Sequence, residues 1–228
     1  MVTRRWIPLI GAFAVGTLIA LQGRLNGGLS MFIGSGIEAA LVNFGSGLLI
    51  LVFIVLLVPS VRRGVARIPA AIRVGELNRW HILGGLIGGA FIGVQSIAIP
   101  IVGVAVFTVA VVAGQSTNSL FVDKVGLGPA GKQPITWNRA ISAVVAVAVA
   151  VSDRFTSGGV SLIVVAVTFV GGLGLAVQQA INGRVSNAAR NPISATFYNF
   201  FFGTAILIFA FAGAWVATDT DAKVIGGA

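Results

Sequence analysis

The sequence predicts an all-α integral membrane protein of about seven transmembrane helices, an inverted five-span repeat with the second copy incomplete. Three observations carry this. The 228 residues are 57% hydrophobic and only 9% charged, with a mean hydropathy of +1.00, too apolar for a soluble domain. The apolar residues fall in runs near the ~20 that a helix needs to cross the hydrocarbon layer. One stretch is also written twice: 16–57 aligns without a gap on 172–213, pairing Gln22 with Gln178, Asn26 with Asn182, Asn43 with Asn199, Phe44 with Phe200 and Gly47 with Gly203. Polar residues set in apolar sequence rarely coincide by chance, so the pairing marks an internal repeat.

The first predicted span, 6–26, follows Arg4 and Arg5; its mate in mid-chain argues against a removable signal. A glycine-rich link, 27–36, leads to a second span, 37–58, stopped by Pro59. The connector 60–79 carries Arg62, Arg63, Arg67, Arg73 and Arg79 against Glu76 and predicts an amphipathic surface segment. A third span, 81–99, turns at Pro100 and Gly103 into a fourth, 104–121. A polar loop, 123–139, precedes a short fifth span, 141–151; the sixth and seventh, 161–181 and 193–217, are the repeated pair. Trp6, Trp80, Trp137 and Trp215 fall at or beside span ends, where indoles favour the headgroup region.

Orientation follows from Lys and Arg. With Arg4 and Arg5 cytoplasmic, the basic connector and the loop bearing Lys124, Lys132 and Arg139 are cytoplasmic too. Five spans, an odd number, place a second unit (153–228) upside down relative to the first (1–152). Arg184 and Arg190 then become cytoplasmic while the matching link after Asn26 faces outward. Inverted repeats of this kind form solute sites near mid-membrane between their halves.

Composition narrows the chemistry. With no cysteine, disulfides and thiolate chemistry are excluded. One His and six acids leave little for a catalytic site, and no phosphate-cradling loop or metal-ligand cluster is evident, so no enzyme, metal or cofactor is predicted. The net charge of +9 sits between apolar runs as a topology signal, not on the continuous basic face of a nucleic-acid binder. The expected partners are the lipid bilayer and a small solute.

Gln22 and Asn26 share one helix face, and Gln178 and Asn182 repeat the pair. Asn43 and Asn199 add an amide to the second helix of each pair, and Gln95 and Gln115 come from the third and fourth spans. These eight are the candidate cavity; the competing reading is interhelical glue. Glu38, the only acid placed within a span, is the candidate proton or cation coupling site, against the alternative that it merely reaches water or Arg24. The run Gly84, Gly85, Gly88, Gly89, Gly93 reads as close helix packing, and His81 beside Trp80 as interfacial.

Gln22-x-x-x-Asn26, Asn43-Phe44-x-x-Gly47, Gly84-Gly85-x-x-Gly88 and Ala113-Gly114-Gln115 leading to Leu120, Asp123 and 126–128 together resemble the YdcZ-type bacterial inner-membrane proteins. These belong with the drug/metabolite transporter superfamily, alongside small multidrug resistance and EamA-type carriers. The resemblance implies a secondary transporter of the cytoplasmic membrane, working by alternating access. Members are single five-span units or fused pairs, and this chain departs from both. It therefore implies either a truncated frame or a homodimer or partner chain supplying the missing spans. The alternative class is a non-transporting membrane subunit or assembly factor.

Overall fold

The computed structural model describes residues 3–134, 141, 144 and 161–226. Its helices are α1 (Thr3–Ile33), α2 (Gly36–Leu57), α3 (Pro59–Arg73), a 3-10 turn (Arg79–Leu83), α4 (Gly84–Val125), α5 (Leu162–Ala189) and α6 (Pro192–Gly226), and the described residues include no strand. Five stretches are long and apolar enough to cross a membrane: Leu9–Ile33, Gly36–Leu57, Arg79–Val125, Leu162–Ala189 and Pro192–Val216. Side chains such as Phe13, Phe32, Phe53 and Phe209 stand exposed on their outer faces. In water such surface would aggregate; in lipid it is the solvated face. The chain is an all-helical, multi-pass membrane protein.

The helices overrun their predicted ends. α1 continues through the glycine-rich link to Ile33 and turns only at Gly34, whose φ is +80°. Ser35 then caps α2, its Oγ accepting the Glu38 N–H at 3.3 Å, and Glu38 sits in the first turn, where a carboxylate complements the helix dipole. The second copy uses the same device. Arg190, the mate of Gly34, is left-handed at φ 53°, and Asn191, the mate of Ser35, accepts the N–H groups of Ile193 (2.9 Å) and Ser194 (3.2 Å).

The basic connector is an amphipathic helix, α3. Val61, Gly64, Ile68 and Ala71 are buried while Arg62, Arg63, Arg67 and Arg73 face outward. Its apolar face rests on the α5–α6 turn, where Ser194 Oγ donates to the Val61 carbonyl at 2.9 Å and Arg67 donates to that of Ala189 at 3.4 Å.

α4 joins the third and fourth predicted spans across Gly103 (φ 79°, ψ 161°), with Pro100 still helical. The chain folds back there: the Phe91 and Phe107 rings lie 5.8 Å apart, whereas sixteen residues of straight helix would separate them by about 24 Å. Only glycine takes this backbone without strain.

The first arm of α4, 84–102, orders the other helices. α1 ascends along it: a Cβ on Gly23 would meet Ile99 and Gln95, and one on Gly27 would meet Ile99 and Pro100. α5 descends: Gly171 faces Phe91, Gly174 faces Ile87, and Ile181 and Asn182 reach Gly84. α2 and α6 cross where Phe44 stacks on Phe200, centroids 4.7 Å apart. Gly47 lies under the Phe200 ring and Gly203 under the Phe44 ring, a reciprocal contact that any side chain would break. These aromatics belong to the main core with Phe91, Ile92, Ile99, Phe107, Val111 and Leu207.

Two predicted ends shift further: α5 extends to Ala189, and the tail expected after 217 is helical to Gly226. The predicted fifth span, 141–151, lies outside the described residues except at Ile141 and Val144.

Candidate functional site

α1, the two arms of α4, α5 and the α2–α6 crossing line a partly open cavity of about 410 Å³. Five of the eight predicted amides line it: Gln22, Gln95, Gln115, Gln178 and Asn199. Asn26, Asn43 and Asn182 are not in its wall; Asn26 and Asn182 hold the lining Gln95 and Asn199, and Asn43 holds Asn26.

The amides form two clusters. In one, Asn43 Nδ2 donates to Asn26 Oδ1 at 2.8 Å and Asn26 Nδ2 donates to Gln95 Oε1 at 2.9 Å. In the other, Gln178 Nε2 (2.7 Å) and Asn182 Nδ2 (3.0 Å) both donate to Asn199 Oδ1. Each Asn–Asn bond joins the first helix of a repeat copy to the second, because a primary amide in hydrocarbon must find a partner inside the bundle. The glutamines, one methylene longer, reach past these pairs to the space between the copies. Gln95, Gln178 and Asn199 both line the cavity and make interhelical bonds, so packing and cavity lining coincide at these three.

Along the first arm, Gly88 touches the second cluster and Gln95 belongs to the first, about 10 Å of helix apart. Phe44, Phe91, Phe107 and Phe200 fill the wall between them. Sequence reasoning missed these four rings; the signal available was that Phe44 and Phe200 are repeat mates directly following Asn43 and Asn199. It also missed Gln179, which lines the cavity but has Gly23 as its mate and so stood outside the repeat pattern. The glycines of α4 do serve packing: a methyl group on Gly85 would collide with the Asn199 carbonyl, and one on Gly89 with that of Gly203.

Glu38 does not line this cavity; it is half-buried at the start of α2. His81 is buried against Trp80, ring centroids 4.0 Å apart, and its Nδ1 accepts the Asn78 N–H at 3.1 Å, closing the 3-10 turn. Among the described residues, no group of three or more His, Cys, Asp or Glu could hold a metal ion.

A bundle of helices long and apolar enough to cross a membrane, with a cavity lined by amides and phenylalanines among them, makes this a polytopic membrane protein. The chain belongs to the DMT_YdcZ family: the family model described as "Putative inner membrane exporter, YdcZ" matches residues 7–151 and 163–223. This is the family that the glutamine, asparagine and glycine motifs resemble. No curated protein and no solved structure matches the chain.

Proposed function

We propose that the chain works as a secondary exporter of the drug/metabolite type, moving a small solute across the cytoplasmic membrane by alternating access. The observation that carries this is the cavity of about 410 Å³ lined by amides from both repeat copies, within the usual range for small-molecule sites. Its wall is mostly apolar, and among the described residues no ionisable side chain lines it. It suits a partly aromatic solute with a few hydrogen-bonding groups.

In this reading the protein has seven spans, the folded α4 counting as two and 141–151 as one, in units 1–152 and 153–228 with the amino terminus cytoplasmic. Three features support the inverted arrangement: α1 and α5 run in opposite directions along one helix, Phe44 and Phe200 make reciprocal contacts, and the two turns use matching caps. Glu38 remains the coupling candidate, acting from the end of α2. A Glu38→Gln change lowers pH-dependent flux in this hypothesis; unchanged flux removes it. Gly16, the mate of Gly172, lines the cavity and has nothing within 4 Å; a second copy or partner chain would supply the missing spans.

The test needs no knowledge of the cargo. The chain has no cysteine, so single cysteines at Ile92 and Leu175, both in the cavity wall, can be challenged with membrane-impermeant thiol reagents from either side of oriented vesicles. An alternating carrier labels from both sides. Labelling from one side only, at both positions and in both directions of a proton gradient, contradicts transport and favours the assembly-subunit alternative.

A further inference from the structure

α3 joins two spans at one face of the membrane. Gly36–Leu57 ends just before it and Arg79–Val125 begins soon after it. Extended Val58 (φ −108°) and Pro59 at the helix start turn the chain from α2 into α3. An amphipathic helix resting on a membrane commonly turns its apolar face to the acyl chains. Here that face is committed to protein: Ile68 and Ala71 pack with Val185, Ala189 and Ala195 of the α5–α6 hairpin. What α3 presents to its surroundings is therefore its basic face.

We propose that this face is a binding surface for anionic phospholipid headgroups. Arg62, Arg63, Arg67, Arg73 and Arg79 are all exposed, and Glu76 is the one acid in 59–83. Helical spacing puts Arg63 and Arg67 on one flank and Arg62 and Arg73 on the other, with the small exposed side chains of Ala66 and Ala70 between them. Phosphates can thus approach the helix from either side. Arg67 donates once to the Ala189 carbonyl, which leaves most of its five N–H groups for a phosphate. Exposed Arg190 follows Ala189 and adds a sixth positive charge beside it.

Depth is set by the apolar residues at both ends. Leu57 and Val74 are each 77% exposed, and Trp80 is 44% exposed. Acyl chains and the interface would cover these side chains, which puts the arginines beside them at the level of the phosphates. A guanidinium meets a phosphate with two parallel N–H bonds, and a basic cluster next to a span attracts an anionic leaflet over about a Debye length. The surface stands whether or not the chain carries a solute.

The experiment keeps one tryptophan at a time in the full chain. With Trp6→Phe, Trp137→Phe and Trp215→Phe, Trp80 reports the lipid at the end of α3. With Trp80→Phe in place of Trp215→Phe, the reporter is Trp215, which the helix from Pro192 sets about 35 Å from the α5–α6 turn, toward the other face. Each protein is placed in nanodiscs containing acyl-brominated phosphatidylglycerol or acyl-brominated phosphatidylcholine at equal mole fraction. Phosphatidylglycerol is expected to quench Trp80 about three-fold more strongly at low salt, and the preference should largely vanish in about 0.5 M sodium chloride. Trp215 should show no preference. Arg62→Gln, Arg63→Gln, Arg67→Gln and Arg73→Gln combined should bring the Trp80 ratio to about one, whereas lysine at the same four positions should keep most of it. A Trp80 ratio near one with all the arginines present, an equal preference at Trp215, or a ratio that survives the four glutamines overturns the proposal. If the glutamine variant does not insert, the salt series decides: a Trp80 ratio unmoved by salt overturns it.

Discussion

Replacing Gly85 by alanine sets a methyl group against the backbone of α6. Its Cβ would lie 2.9 Å from the Asn199 carbonyl carbon and 3.0 Å from the Asn199 Cα, against 3.4–4 Å for ordinary contact. A side chain could rotate away; a helix backbone cannot, so α4 and α6 must part by several tenths of an ångström. Overpacking of this kind costs about 1–3 kcal/mol. The gain in helix propensity on replacing glycine by alanine, about 1 kcal/mol, works in the opposite direction. The net expectation is a loss of up to about 2 kcal/mol for Gly85→Ala. Gly45 has nothing within 4 Å, so Gly45→Ala should show only the propensity gain. Unfolding by sodium dodecyl sulfate titration from mixed micelles, followed by far-ultraviolet circular dichroism, reads both. Should the two variants shift stability in the same direction by similar amounts, the close α4–α6 contact is not what holds this end of the bundle.

Asn199→Leu removes the acceptor of two amide donors, and Asn43→Leu removes a donor to one. At about 0.6–2 kcal/mol per interhelical bond in a bilayer, the Asn199 variant should be the less stable in the same titration. A double-mutant cycle of Phe44→Leu and Phe200→Leu should give a coupling of about 0.5–1.5 kcal/mol; additivity would mean that the stacked rings do not interact. Arg190→Gly relieves a left-handed backbone that costs about 1–2 kcal/mol outside glycine, so stability should rise by about 1 kcal/mol, and a loss would reveal a contact of its side chain. Cysteines at Ser35, Ser60 and Asn187 should label from outside, inside and inside, and any other pattern refutes the orientation drawn from Lys and Arg.

The sequence disclosed the helices and the polar residues more readily than the faces they present. Apolar runs reveal spans because the bilayer demands length. The same solvent removes the polar-outside pattern from which a buried face is read in a soluble helix, so Phe44 and Phe91 look no different from Phe53 on the lipid side. Amides are the exception: any polar group inside hydrocarbon needs a partner, and Asn26, Gln95, Gln178 and Asn199 announced themselves on that ground. Whether each met a neighbour or the cavity depended on side-chain length and register, which spacing alone does not decide. Glycine marked the break at Gly103 correctly but misplaced the end of α1. The glycines at 27 and 28 continue α1 with their neighbours close or lipid around them, while Gly34 and Gly103, at positive φ, are the ones that turn the chain. At the second turn the left-handed residue is Arg190, for which sequence gives no cue except its alignment with Gly34.

The crossing of α2 and α6 is symmetric in its contacts. Exchanging one helix for the other leaves the Phe44–Gly203 and Phe200–Gly47 contacts as they are, so under the alternating-access proposal this point would serve as a fulcrum. The thirteen residues from Phe44 to Leu57 make an arm of about 20 Å, and a swing of about 10° there moves the tip by roughly 3.4 Å while the fulcrum barely stirs. Small rearrangements among the rings would thereby be magnified at the far end of α2, with no need to unstack the pair.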